Sequence, residues 1–328
     1  MTSHLMNPAN WIDSIDAGYL SDFLPSGGSS VKFVVCGDGA TPAEISDRLA
    51  TRARERGFLL ARIQSESLKI QQIERVFGAI SDQIPWDETV TRVLCSMARD
   101  QGWQVPDVVD SSRGLVEQLD AVNGLGVKQI SIVLQRELST RILLDFGLAK
   151  DFRLAMTWLA RARLSAGAAD GPDFQQITDW LGVRVSAIRN MRPYQIHTKI
   201  NRANARHLFG SLCAWVRRAG FPGITTILDA RRLTSRDRSE DGAINYSIAA
   251  VLDAYEILRQ FIDATDEFDG FFLVVLTAPE FLDLDARGRG IGRYPALLGR
   301  VYDEVRDRRV ANPYSALVRL GGSEEAMR

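Results

Sequence analysis

A chain of 328 residues, 45% hydrophobic and 25% charged, has the make-up of a globular protein that buries a substantial core without staples. Its formal net charge of −1 excludes a global basic field, so any contact with DNA needs a local patch. Three separated cysteines (Cys36, Cys95, Cys213) and three histidines (His4, His197, His207) offer neither a disulfide framework nor a metal-ligand spacing, which fits a reducing compartment.

The opening, MTSHLMNPANWIDSID, lacks a basic stretch followed by an apolar core and does not read as a signal peptide. No apolar run reaches the length of a membrane span, and the expected location is the cytoplasm. The first strand is VKFVVC (31–36), followed by Gly37, Asp38 and Gly39, then by a helix from Ile45 to Arg56 that Gly57 stops. FLLARI (58–63) is the second strand. Residues 66–220 read as helical. Ile73, Val76, Phe77, Ile80 and Ile84 recur at helix spacing, as do Val90, Val93, Leu94 and Met97, and residues 130–164 hold two or more amphipathic helices. SAGAADGP (165–172) is a linker. ITTILD (224–229), FFLVVLT (271–277) and SALVRL (315–320) complete a set of short apolar strands. Apolar strands separated by helices predict a mostly parallel sheet covered on both faces. The expected organisation is an α/β core in two halves, 1–65 and 221–328, with a helical insertion at 66–220.

Strand, glycine loop and helix are how a phosphate-binding loop begins. A working loop has the form G-x-x-x-x-G-K-[ST]: its glycines let amides curl around phosphates, its lysine neutralises them and its hydroxyl holds magnesium. With Gly37 as the first glycine, the second falls on Pro42, the lysine on Ala43 and the hydroxyl on Glu44. TPAE (41–44) has instead the pattern of a capping box with proline at the first helical position. In that arrangement Thr41 and Glu44 occupy the helix N-terminus that would otherwise receive a phosphate, and Glu44 repels one. The third strand ends in Asp229, as a Walker B strand does, but Ala230 follows where a water-activating glutamate belongs. Thr277 ends the fourth strand, at the place of a phosphate-sensing polar residue. Arg287, Arg289, Arg293 and Arg300 read as arginine fingers or as a basic solvated loop.

Three stretches carry a resemblance across most of the chain: WIDSIDAGYLSDFLPSGGSSVKFVV, RPYQIHTKINRANARHLFGSLCAWVRRAGFPGITTILDARRL, and FFLVVLTAPEFLD with RYPALLGRV. They resemble the P-loop ATP-binding proteins of BREX-type bacterial antiphage defence. The resemblance implies an AAA+-like P-loop NTPase fold with a helical insertion before Walker B. It also implies partners from the same defence system, such as a helicase, a TerB-like protein or another P-loop protein, in a homo- or hetero-oligomer. The family's loop carries Gly-Lys-Ser/Thr and its Walker B ends Asp-Glu; this chain departs at both.

Elsewhere, FQQITDWLGVRVSAIRNM (174–191) imitates a helix-turn-helix, with Gly182 at the turn and VSAIRN as recognition helix. Arg184, Arg189 and Arg192 would then face DNA; the alternative is two short packed helices. Lys199, Arg202, Arg206, Arg217 and Arg218 read either as a phosphate-tracking stripe or as a solvated face paired with acids such as Asp263, Asp266 and Glu267. No serine elbow or histidine triad is present. The expected function is that of a catalytically impaired ATPase-like defence subunit that binds proteins, with DNA as a further candidate ligand. Gly37, Asp38, Gly39, Thr41, Asp229 and Thr277 would form a vestigial nucleotide site without cofactor. The alternatives are an active or nucleotide-gated ATPase using ATP and magnesium at that site, and a DNA-binding module.

Overall fold

A computed structural model describes residues 5–37, 40–165, 171–235, 242–285, 287–302 and 312–321. Five strands, β1 (Ser30–Cys36), β2 (Leu59–Gln64), β3 (Ile224–Asp229), β4 (Phe271–Thr277) and β5 (Leu317–Leu320), form one sheet in the order β2-β3-β4-β1-β5. Every pairing is parallel. A strand inserted between β1 and the acid-ended β3 is the arrangement of AAA+-like P-loop NTPase sheets, and the fold is of that class. The fifth strand starts two positions later than its apolar pattern suggests. Ser315 is still in a turn, its N–H donating to the Asn312 carbonyl (3.3 Å).

The chain divides into two compact units, Met1–Val76 with Phe221–Arg328, and Phe77–Gly220. In the first, α1 (Pro8–Ile15) starts on Asn7, whose side chain accepts from the N–H of Ala9 (2.8 Å). The helix α2 (Pro42–Glu55) buries Ile45, Leu49, Ala50 and Ala53 in one cluster with Val34, Phe272, Val274 and Val318. Strand side chains alternate between faces. Phe271 and Phe33 accordingly pack elsewhere, against Phe261 (5.9 Å between ring centroids) and Phe281 (5.5 Å). Each such side chain contributes roughly 1.5–3 kcal/mol by leaving water.

Two glycines are required by geometry. Gly57, at φ +81°, reverses the chain after α2, and the next N–H, of Phe58, reaches back to the Ala53 carbonyl (3.0 Å). Gly223 lies against the backbone before β4, where a Cβ would stand 1.9 Å from the Gly270 oxygen.

In chain order the remaining helices are α3 (Ile73–Ser81), α4 (Trp86–Asp100), α5 (Leu115–Asn123), α6 (Val127–Leu138), α7 (Lys150–Leu164), α8 (Pro172–Leu181), α9 (Ala205–Arg218), α10 (Ile248–Asp263) and α11 (Pro295–Val301). The second unit is built from helices, and in it Arg163 of α7 is fully buried. Its guanidinium bonds to Thr91 Oγ1 (2.9 Å), the Arg113 carbonyl (2.6 Å) and the Asp110 carbonyl (3.0 Å), and pairs with Asp87 (2.9 Å). A guanidinium satisfies several acceptors at once, so one side chain ties the connection before α5 to α4 and α7. Cys36, Cys95 and Cys213 are buried and unbridged. The predicted 165–172 linker falls largely on residues outside those described.

The helix-turn-helix reading does not hold for the shape of its second half. After α8, Val183 takes a left-handed conformation (φ 58°), and a 3-10 segment, Ile188–Tyr194, stands where an α-helical recognition element was expected. Pro193 supplies the reason: it lacks an N–H and disfavours α geometry in the residue before it. Among the described residues no helix is long and apolar enough to cross a membrane.

Candidate functional site at the carboxyl edge of the sheet

In open α/β sheets, ligands bind beyond the carboxyl ends of the strands. Here Cys36, Thr277 and Asp229 end the adjacent strands β1, β4 and β3; Val35 lies opposite Thr277 and Asp229 opposite Leu276. The sheet thus brings together the strand ends that the sequence singled out.

What those residues touch is protein. The Gly37 N–H donates to the Leu320 carbonyl (2.8 Å), continuing the pairing of β1 with β5. A Cβ at Gly37 would lie 3.2 Å from that same oxygen, so the glycine allows a close approach of backbone to backbone. Asp38 and Gly39 lie outside the described residues. Thr41 caps α2, accepting the Glu44 N–H on its hydroxyl (3.3 Å), with Pro42 as the first helical residue. The reciprocal half of the expected capping box is not formed. Glu44 pairs instead with Arg48 one turn on (3.5 Å), where a full positive charge outcompetes a neutral amide. Thr277 is buried, and its hydroxyl donates to the Val34 carbonyl (3.2 Å).

Asp229 is engaged most fully. Arg231 grips it with a fork, Nε to Oδ1 at 2.9 Å and Nη2 to Oδ2 at 2.6 Å, while the Arg231 N–H adds a bond of 3.2 Å. Such bidentate contacts are the strong form of the carboxylate–guanidinium bond. The pairing raises the guanidinium pKa above its ordinary value, chiefly through the hydrogen bond to Asp229. The neighbouring Cys36 thiol is pushed up to about 11 by burial, an effect that Arg231 opposes and Asp229 reinforces, so it is an inert thiol at neutral pH. Arg231 is the residue that sequence reasoning missed. Its signal was the Asp-x-Arg spacing in LDARRL, which brings a guanidinium back onto the acid once the chain turns into the 3-10 segment Arg231–Leu233.

The basic residues expected elsewhere are also largely committed. Arg184 bonds to Asp179 (2.9 Å) and to Asp82, whereas Arg189 and Arg192 lie exposed on the 3-10 segment. Arg218 pairs with Asp145. Asp263, expected to answer that stripe, is instead held by Arg259 and by Arg300 (3.1 Å). Arg289 reaches the Leu233 carbonyl (3.4 Å). Among the described residues no group of histidines, cysteines and carboxylates could hold a metal ion.

The family described as "BREX system ATP-binding protein BrxC/D" matches residues 21–326 of this chain. No curated protein matches it.

Proposed function

The chain belongs to the BREX system ATP-binding protein family, and from that premise we propose that it is a member that kept the fold and lost turnover, serving its defence system by binding partner proteins. The observation that carries this reading is the Asp229–Arg231 fork: the acid that would help place magnesium already holds a cation of the protein's own. Three further features point the same way. The α2 N-terminus is capped by Thr41, and Pro42 has no amide to offer a phosphate. No lysine follows the loop, and no glutamate follows Asp229. Without the lysine and hydroxyl, phosphate charge goes unneutralised in the ground and transition states; without the glutamate, no group orients the attacking water. Losses of both kinds in one site exceed what an arginine from a neighbouring subunit restores.

A phosphate-release assay with ATP and magnesium, on the chain alone and with its co-purified partners, tests this. The expected rate equals that of an Asp229→Asn variant in both settings. Turnover that Asp229→Asn abolishes would establish the competing reading, an active or nucleotide-gated ATPase with a non-standard loop. The family's description as ATP-binding is what favours that second reading. Partners drawn from the same defence system fit either one. A DNA-binding role would rest on Arg189 and Arg192, because Arg184 is already neutralised by Asp82 and Asp179.

A further inference from the structure

Within the unit Phe77–Gly220, a cavity of about 440 Å³ is lined by Leu143, Lys150, Arg153, Leu154, Gln195 and His197. Its polar lining holds two cationic donors, Lys150 and Arg153, and two side chains that can also donate, Gln195 and His197. Lys150 opens α7, whose N-cap Ala149 supplies no side-chain cap to the first-turn amides. Arg153 follows one turn later. Its Nη1 reaches the Leu143 carbonyl (3.2 Å) and its guanidinium lies over the Phe146 ring (4.6 Å), yet its Nε is buried without a hydrogen-bond partner. Gln195 holds a left-handed conformation (φ 61°), uncommon for a residue with a side chain, at the end of the 3-10 segment. Phe146 itself is 80% exposed beside this opening.

The acids nearby offset only part of this charge. Asp145 pairs with Arg218 and also lies within electrostatic reach of Arg153. Asp151 is hydrogen-bonded to Thr198 and sits near both Lys150 and His197, its carboxyl pushed up by burial. Lys150 and Arg153 thus each face one carboxylate, Asp151 and Asp145, and the second of these is shared with Arg218, which leaves the three cations in excess of the two acids; His197 is a further donor at the rim.

We propose that this cavity is a binding site for a small phosphate-bearing anion, held by Lys150, Arg153, Gln195 and His197. A compact ligand fits better than a nucleic-acid backbone. A track for a polymer needs a longer run of unpaired cations than Arg189 and Arg192 supply, and Arg141, Arg184 and Arg218 of this unit are paired with Asp100, Asp179 and Asp145. The site belongs to the helical unit and does not rest on the reading of the sheet edge.

The experiment is calorimetric titration of the full chain with inorganic pyrophosphate at constant ionic strength. Wild type should saturate at one site. Lys150→Glu, an exposed substitution, should weaken binding at least tenfold, and Arg153→Gln should do the same. Lys128→Glu, on exposed surface at the start of α6, should leave binding within twofold and controls for general charge. Circular dichroism melting checks the fold of each variant, and Lys150→Glu decides if Arg153→Gln unfolds. Absence of saturation, equal weakening by Lys128→Glu, or displacement of pyrophosphate by a short DNA duplex at lower concentration would each overturn the proposal.

Discussion

Two arginine–aspartate pairs show how burial changes the meaning of one contact. At the sheet edge, Arg231 holds Asp229 with 45% and 26% of the two side chains exposed. In the helical unit, Arg163 pairs with Asp87 while its own side chain is wholly buried and bonded to two backbone carbonyls and a threonine. Water can replace either partner of the first pair, so that pair occupies a position without holding the fold. The second is harder to replace, because the wholly buried guanidinium satisfies a threonine, two carbonyls and a carboxylate at once, and no single water does so. On the proposed reading the first bears on the strand-end site and the second on architecture, although the residues are of the same kinds.

The largest expected effect follows from the buried pair. Arg163→Met should lower the unfolding free energy by roughly 1–3 kcal/mol, the usual cost of leaving hydrogen-bond acceptors unsatisfied; Asp87 itself keeps 31% of its side chain in water. Urea denaturation measures this, and a loss below about 1 kcal/mol would erase the contrast between the two pairs. Glu256 lies between the extremes. It is bound by Arg259 (2.6 Å), Gln260 (2.8 Å) and the Tyr294 hydroxyl, and these contacts, Arg259 first, lower its pKa to about 2. A depressed carboxylate stabilises the fold fully above its unfolded pKa, near 4.3, and loses that contribution as pH falls through about 2. Wild type should therefore exceed Glu256→Gln in stability at pH 6, and the gap should close between about pH 4.5 and 2. A gap that stays constant over this range would show that the glutamate's charge is not what stabilises.

Thr41→Ala should cost about 1 kcal/mol, as loss of an N-cap does, and it also uncovers the α2 amides. A thermal melt reads the cost. If the same variant gained phosphate affinity, it would sharpen the view that the cap and a ligand compete for those amides. Arg231→Ala should be the mildest, within roughly 1 kcal/mol, because exposed ion pairs contribute little. A large loss there would make the sheet-edge pair architectural too.

The strands were legible because buried parallel strands leave short, continuous apolar runs, and FFLVVLT could be little else. The Thr41 cap was legible because capping is a contact between near neighbours in the chain. The fork on Asp229 was not, since it depends on how the chain turns after β3, and LDARRL alone leaves that turn open. The 174–191 stretch misled because spacing and charge imitate a recognition helix. Pro193, just past its end, already argued against helical continuation. Of the partners of Asp263, Arg259 stands four residues earlier on α10, an ordinary helical spacing, whereas Arg300 was out of reach: it is brought there by tertiary packing, and no local pattern announces that contact.

The central claim is that the protein's own groups fill the place of magnesium and nucleotide phosphate at the strand ends. It is tested most directly by titrating ATP into the chain with magnesium and again with excess chelator, for wild type and Asp229→Asn. The predicted result is four superimposable isotherms. A magnesium-dependent, saturating heat in wild type that vanishes in Asp229→Asn would contradict the account.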